Sequence, residues 1–231
     1  MKDTVITALE QAEKQKAKTN LEGWKTHDIY GLSSDRIKYL MNNLVATIPK
    51  AVYLELGVFR GATIIPAAYG NKGAKLYGVD DFHFNPLESP SIKSPAKDNI
   101  KHWPNVRSAC MQNIVNLCPD KNIILLEKNF FTIKTTDILG LVNILFIDTY
   151  VHATEEDIIK IFDYYKPFMD KKCVVVVGSF SQRDIENGTN KAIAKHNFKI
   201  EYATIKKSSN TSDSYGWWAG LGIFILEKVD A

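Results

Sequence analysis

Cysteine is scarce in this sequence. Cys110, Cys118 and Cys173 are the only three among 231 residues. An odd number without CxxC spacing argues against a disulfide framework and against a structural zinc site. Cysteines that form no disulfide framework fit a reducing compartment, so the sequence predicts a cytoplasmic protein.

Long hydrophobic runs and blocks of like charge are missing as well. In the segment MKDTVITALEQAEKQKAK, charged and polar residues break up the apolar ones, and no later run is long enough to cross a bilayer. The net charge of +3 is spread along the chain, whereas nucleic-acid binding favours a concentrated basic stripe. We therefore expect neither a membrane nor a nucleic acid as a partner.

What the sequence does contain is an alternation of strand-like and helix-like segments. The composition, 45% hydrophobic and 24% charged, is ordinary for a soluble globular protein. The predicted strands cover residues 51–57, 74–80, 122–128, 142–148, 173–179, 198–205 and 221–227. The predicted helices between them cover residues 62–69, 104–117, 155–168 and 184–195. Such alternation is typical of βαβ units, so we expect an α/β fold with a Rossmann-like, doubly wound, mostly parallel sheet.

Most of the predicted strands are nearly continuous in apolar residues, which is expected where helices cover both faces of a sheet. Residues 198–205 and 221–227 depart from the alternation, because the segment that joins them has no helical pattern. We expect the last strand to run antiparallel at the sheet edge. Residues 1–48 read as a small helical cap, and residues 49–231 read as the main domain of one compact unit.

The first predicted strand ends in the loop YLELGVFRGAT. Glu55, Gly57 and Gly61 give the spacing E-x-G-x-x-x-G at a carboxyl strand end, where ligands collect in open α/β sheets. Glycines let a ligand approach the backbone, and the start of the following helix offers free N–H groups. The spacing does not match the G-x-G-x-x-G pattern of dinucleotide-binding folds. A tight strand-to-helix turn without a ligand is the alternative.

The second predicted strand ends on two acids, Asp80 and Asp81. A carboxylate at this position can accept hydrogen bonds from both hydroxyls of a ribose. Asp80 follows Glu55 by about 25 residues, the separation expected in ribose-binding βαβ units. Acids at strand ends are also common as solvent-facing residues, but the two strand ends together favour a ligand that contains a nucleoside.

These residues resemble a known family. ELGVFRGAT followed by YGVDDF is similar to the first two motifs of class I S-adenosylmethionine-dependent methyltransferases. The segment NILFIDTYVHATEEDIIKIFDYYKPFMDKKCVVVVGSF resembles the small-molecule O-methyltransferase branch, which includes macrocin-type and other sugar or natural-product enzymes. The resemblance implies S-adenosyl-L-methionine (SAM) as cofactor, S-adenosyl-L-homocysteine (SAH) as product, and methyl transfer to a small molecule.

The resemblance also implies roles for individual residues in the cofactor site. In chain order these are Glu55, Gly57 and Gly61 on the methionine side, Asp80 with Asp81 beside it at the ribose, and Asn129 and Phe130 around the adenine. Core packing is the alternative for Phe130.

Methyl transfer to a hydroxyl needs a group that takes up the acceptor's proton. His152 lies just beyond the fourth predicted strand, in IDTYVH, and an imidazole suits a general base because it titrates near neutral pH. Asp148 ends that strand and has three alternative roles: to orient His152, to bind the amino end of the cofactor, or to ligate a metal ion. His152 as an ordinary surface residue before a helix N-cap at Thr154 is the alternative.

Many relatives in this branch bind a divalent cation between the tips of the fourth and fifth strands. Here the fifth strand ends in Gly178 and Ser179, where those relatives carry acids, and the spacing from aspartate to histidine is shifted by one residue. A hard cation needs several carboxylate oxygens, so we expect no required metal ion.

Several residues near the strand ends are candidates for acceptor binding. They are Tyr150, His83, Tyr215 and Trp217. Aromatic rings there can stack on a sugar or a planar acceptor, while core packing or a dimer contact is the alternative for the tryptophan. The sequence thus predicts O-methylation of a small molecule, with N-methylation of a small amine or a SAM-binding protein without turnover as alternatives. Whether two copies pair as a homodimer is left open.

Overall fold

The computed structural model describes residues 1–17, 29, 31–83, 105–118, 122–148, 153–208 and 216–229. The strands β1 to β7 are Val52–Leu56, Lys75–Asp80, Ile123–Glu127, Val142–Ile147, Met169–Gly178, Lys199–Lys206 and Leu221–Glu227. The helices α1 to α6 are Lys2–Glu13, Asp35–Thr47, Ile64–Ala68, Val106–Leu117, Glu155–Tyr165 and Arg183–Lys195. Short 3₁₀ turns lie at Phe130–Thr132, Thr135–Asp137 and Lys166–Phe168.

All seven strands join one sheet in the order β3-β2-β1-β4-β5-β7-β6. Strand β1 pairs in parallel with both β2 and β4, while β7 runs antiparallel between β5 and β6. The predicted doubly wound sheet with an antiparallel last strand is confirmed. The strand order changes direction beside β1, and the carboxyl ends of β1, β2, β4 and β5 meet at that edge, which is where α/β folds place their ligands.

Helices cover the two faces of the sheet with separate apolar clusters. Helices α1, α2 and α3 pack on one face, together with apolar residues of β1, β4, β5 and β7. Helices α5 and α6 pack on the other. On α5 the buried residues Ile158, Ile161, Phe162 and Tyr165 recur at helical spacing. The Thr154 side chain accepts a hydrogen bond from the Asp157 N–H at 3.2 Å and caps this helix.

Helix α3 is only five residues long and depends on α2 for its end. The Asn42 side-chain amide on α2 donates to the Pro66 carbonyl at 2.8 Å and to the Tyr69 carbonyl at 3.0 Å. These carbonyls belong to the last turn, where a helix runs short of backbone donors; the Pro66 carbonyl also accepts from the Tyr69 N–H at 3.2 Å. The amino-terminal helix pair therefore helps to position the segment that follows the glycine loop.

Strand β3 corrects one expectation. Its apolar run predicts a strand covered on both faces, but β3 lies at the edge of the sheet and its residues are half-buried or exposed. Ile124 is 44% exposed. None of the helices in the described ranges has the length and apolar character that crossing a bilayer requires.

Candidate functional site

The loop after β1 has a backbone that favours glycine. Gly57, Phe59 and Gly61 all adopt positive φ, at 91°, 52° and 83°. A turn within the loop is closed by the Gly61 N–H, which donates to the Val58 carbonyl at 2.9 Å. A Cβ on Gly61 would lie 2.7 Å from Cδ1 of Ile65. The two glycines therefore ease the tight, left-handed backbone of the loop, and Gly61 also leaves room for the Ile65 side chain.

Asp80, at the tip of β2, fastens this loop. The N–H groups of Val58 and Phe59 donate to its Oδ2 at 2.9 and 2.7 Å, and the Phe82 N–H donates to Oδ1 at 2.7 Å. The sequence predicts free backbone donors for a ligand around this loop, but Val58 and Phe59 are committed to Asp80. Burial raises the pKa of Asp80, and the three backbone hydrogen bonds oppose that rise.

Asp80 nevertheless keeps some capacity for a ligand. A carboxylate offers about four acceptor positions, and the loop and Phe82 use three of them. The neighbouring Asp81 accepts a hydrogen bond from the His83 N–H at 3.2 Å. The His83 ring is 84% exposed and faces solvent, with its Nδ1 3.5 Å from the Asp81 Oδ1.

Glu55 lies beneath the loop rather than in its lining. It is fully buried, at 0% exposure. Its Oε1 accepts a hydrogen bond from the Thr63 hydroxyl at 2.6 Å, and its Oε2 accepts one from the Tyr53 hydroxyl. Burial raises the pKa of Glu55 to about 8, against the two hydrogen bonds, and the charges of Asp148 and Asp80 add to the rise. Glu55 thus joins both ends of the loop from below.

Asp148 follows β4 and stands next to β1, since its N–H donates to the Leu56 carbonyl at 2.9 Å. Its carboxyl group lies against Gly178 at the tip of β5. A Cβ on Gly178 would overlap the Oδ1 of Asp148 and would lie 3.3 Å from its Cγ. Burial raises the pKa of Asp148 to about 7. Because Gly178 has no side chain, it leaves room for the carboxyl group of Asp148.

Asn129 and Phe130 follow β3 beside the tip of β2, because Asp80 and Glu127 are paired in the sheet. Asn129 is exposed, and its side chain accepts a hydrogen bond from the Phe131 N–H at 3.0 Å. Phe130 is half-buried and packs against the second apolar cluster. The structure thus brings both residues near Asp80, while Phe130 also packs against the core.

Comparisons with known proteins identify the fold of the chain but no sequence family. No family model matches the sequence, and no curated protein matches it. Solved structures do match. The O-methyltransferase TomG from Streptomyces achromogenes, solved with SAM, shares 15% identity at a TM-score of 0.57, over 95% of this chain and 89% of its own.

Two more solved structures agree. The O-methyltransferase from Bacillus cereus, solved with SAH, has 13% identity and a TM-score of 0.56, over 96% of this chain and 91% of its own. Precorrin-6y C5,15-methyltransferase from Geobacter metallireducens has 14% identity and a TM-score of 0.53, over 84% of this chain and 89% of its own. The fold is that of SAM-dependent methyltransferases. At such identities the likeness establishes the fold and leaves the acceptor open.

In this methyltransferase fold, three predicted residues fall outside the described ranges. They are His152, Tyr150 and Tyr215, and their roles stay predictions. Trp217 is buried in the first apolar cluster at 7% exposure, which agrees with the core-packing alternative. Among the described residues, no group of histidine, cysteine and acidic side chains is arranged to hold a metal ion.

A turn beside the tip of β5 forms the neighbouring part of this sheet edge. The Phe180 and Ser181 N–H groups donate to the Gly220 and Ala219 carbonyls at 3.1 and 3.0 Å. The Ser34 hydroxyl donates to the Gly216 carbonyl at 2.7 Å and so ties the start of α2 to the same turn. Trp218, which neighbours Trp217, is half-buried on this turn.

Two residues that the sequence interpretation missed are Tyr53 and Thr63. A signal for Tyr53 was available, because residues two apart on a strand face the same side and Tyr53 therefore accompanies Glu55. Thr63 had no such signal, since its partner lies across the loop. Both hydroxyls are needed to satisfy a carboxyl group that is entirely removed from water.

Proposed function

We propose that this protein binds SAM at the carboxyl edge of its sheet and transfers the methyl group to a hydroxyl of a small molecule. One observation carries the proposal: Asp80 and Asp148 flank a left-handed glycine loop at the point where the strand order reverses. The methyltransferase fold gives that edge its context, and two of the similar structures are O-methyltransferases.

The groups at this edge of the sheet match the chemical groups of SAM. The glycine loop provides close backbone approach for the methionine part, and Asp80 keeps an acceptor position for a ribose hydroxyl. Asn129 and Phe130 provide an amide and a ring beside the adenine position. Asp148 provides a carboxyl group for the amino end of the cofactor: burial raises its pKa to about 7, and a bound ammonium group favours its ionised form.

When bound, SAM supplies a methyl group that is already activated. The protein's own residues then have two tasks, to hold the acceptor in line with that methyl group and to take up its proton. His152 is the favoured proton acceptor on sequence grounds, with Asp148 at the end of β4 as its partner. Trp218 and the turn beside it are candidates for the acceptor side of the edge.

Calorimetric titration with SAM and SAH tests the cofactor. We expect both to bind the wild-type protein. Asp80→Asn weakens binding of each by about tenfold or more, because a charge-assisted hydrogen bond is lost. Asp170→Asn is the matched control, since Asp170 lies at the opposite end of the sheet in β5. If neither SAM nor SAH binds, the proposal is overturned.

A turnover assay tests the chemistry. SAH formation is measured with pooled hydroxyl and amine acceptors, in EDTA and in added magnesium. Turnover with hydroxyl acceptors supports O-methylation, and loss of that turnover in His152→Ala supports His152 as the base. Turnover only with amines supports N-methylation instead.

A SAM-binding protein without turnover is the second candidate. It is favoured by the tip of β5, where Gly178 and Ser179 replace the expected acids and the backbone is hydrogen-bonded to the turn before β7. Tight SAH binding with no product from any acceptor class would support it.

A further inference from the structure

Two acids remain whose burial the proposed function does not explain. Glu55 and Asp148 lie at the ends of neighbouring strands, because β1 and β4 pair in parallel with Leu56 opposite Ile147. Glu55 is at 0% exposure, and Asp148 is half-buried against Gly178. Two neighbouring carboxyl groups, one fully buried and one half-buried, cannot both ionise cheaply without a cation nearby.

Apart from Arg60 on the glycine loop, the described groups around this pair are neutral or acidic. Tyr53 and Thr63 donate hydroxyl hydrogen bonds to Glu55. Asp80 on β2 interacts electrostatically with Glu55. Burial raises the pKa of the Cys110 thiol on α4, and the negative charges of Asp80 and Glu55 raise it further. The glycine loop contributes one basic residue, Arg60, whose carbonyl accepts a hydrogen bond from Asn113 at 2.9 Å.

The two proposed ligands, SAM and SAH, differ by one positive charge, and ionised Glu55 and Asp148 would attract that charge. SAM has a positively charged sulfonium, and SAH has a neutral thioether in its place. Both share the same amino, carboxyl, ribose and adenine groups. Interactions with the shared groups therefore largely cancel when the two affinities are compared, and the response to the sulfonium charge dominates the difference.

We propose that Glu55 and Asp148 act together as a proton-linked discriminator that makes the site prefer SAM over SAH increasingly as both acids ionise. This inference rests on the proposed function, because it assumes that SAM binds at this edge. Burial raises the pKa of Asp148 to about 7 and that of Glu55 to about 8. The preference therefore changes between about pH 6 and pH 9, which spans neutrality.

The size of the effect follows from Coulomb attraction. For charges roughly 8 Å apart and an effective dielectric constant of about 40, each ionised acid favours SAM over SAH by about fivefold. The discriminator would help product leave the site, because SAH lacks the charge that both carboxylates attract. It needs no contact between Glu55 and the cofactor.

The test measures the dissociation constants of SAM and SAH between pH 6 and pH 9 and takes their ratio. We expect the preference of the wild-type protein for SAM to rise severalfold across this range. Asp148→Asn removes the lower part of the rise, and Glu55→Gln removes the upper part while it keeps a polar group between Tyr53 and Thr63. Asp170→Asn, on the far end of β5, leaves the rise intact.

Different failures have different meanings. A ratio that does not change with pH in the wild-type protein overturns the inference and leaves the proposed function standing, as does a rise that survives in both variants. Absence of binding by both compounds overturns the proposed function and the inference with it. A purely structural role of Glu55 would weaken both ligands equally and leave the slope of the ratio unchanged, which also counts against the inference.

Discussion

At the scale of single residues, this edge depends as much on uncharged groups as on its acids. Thr63 provides a hydroxyl for Glu55, and Gly178 provides room for Asp148. Neither contact can be inferred from the spacing of the acids along the chain. Each acts on a carboxyl group that sequence spacing alone had already singled out.

Thr63→Val should destabilise the fold. It removes one of two hydroxyl donors from a carboxyl group at 0% exposure, and a buried polar group that loses its partner costs about 1–3 kcal/mol. Thr63→Ser keeps the hydroxyl and should lose less. Urea unfolding measures the difference, and equal midpoints for the two variants would contradict the role of this hydrogen bond.

Gly178→Ala should displace Asp148 more than it disturbs the strand. The added methyl group overlaps the carboxyl end of a side chain that can move, so the cost in stability is about 1 kcal/mol. Binding of SAM should weaken more strongly, because Asp148 leaves its place. Gly73→Ala is the control, since a Cβ there meets nothing within 4 Å. Unchanged SAM affinity in Gly178→Ala would remove Asp148 from the proposed site.

At the scale of elements, the single-turn helix α3 depends on contacts with another helix, α2. Five residues are too few for a stable isolated helix. The Pro66 and Tyr69 carbonyls at its end accept hydrogen bonds from Asn42 on α2, which is at 0% exposure. The helix pair at the amino terminus thus supports the segment that leads away from the glycine loop.

Asn42→Ala should therefore destabilise the protein by about 1–3 kcal/mol, since it removes both of these buried hydrogen bonds from the end of α3. Asn190→Ala, at an exposed position of α6, should change stability by less than about 0.5 kcal/mol. Chemical denaturation compares the two. A loss that is equally small in both would show that α3 does not need this contact.

At the scale of the whole molecule, the buried acids link stability to pH. An acid whose pKa is higher in the folded protein holds its proton more tightly there than in the unfolded chain. Its contribution is fully present below the unfolded pKa, which is near 3.8 for Asp148 and 4.5 for Glu55. The contribution is lost as pH rises through about 7 and about 8 respectively.

Stability should accordingly fall between pH 5.5 and pH 8, by up to about 1.4 kcal/mol per pH unit for each acid. Glu55→Gln removes one of these protons, so its unfolding free energy should depend less steeply on pH. Urea midpoints at four pH values, taken as the difference between wild type and variant, isolate this effect. A difference that stays constant with pH would contradict the raised pKa of Glu55.

Much of the fold was predictable because its signals are local. Apolar runs and helical periodicity located the strands and helices to within a few residues, except that β5 begins earlier, at Met169. The edge position of β3 was not predictable in the same way, since an apolar run does not reveal which strands flank it. The acids at the strand ends were identified by the same local spacing.

The sequence by itself determined the doubly wound sheet, the glycine loop and the acids that surround it, because each depends on neighbours a few positions away. Only the tertiary structure decided what those acids do. The sheet brings Asp80 to the loop amides of Val58 and Phe59, and it places Asp148 over Gly178. These contacts join residues more than 20 positions apart, and no local pattern encodes the packing that creates them.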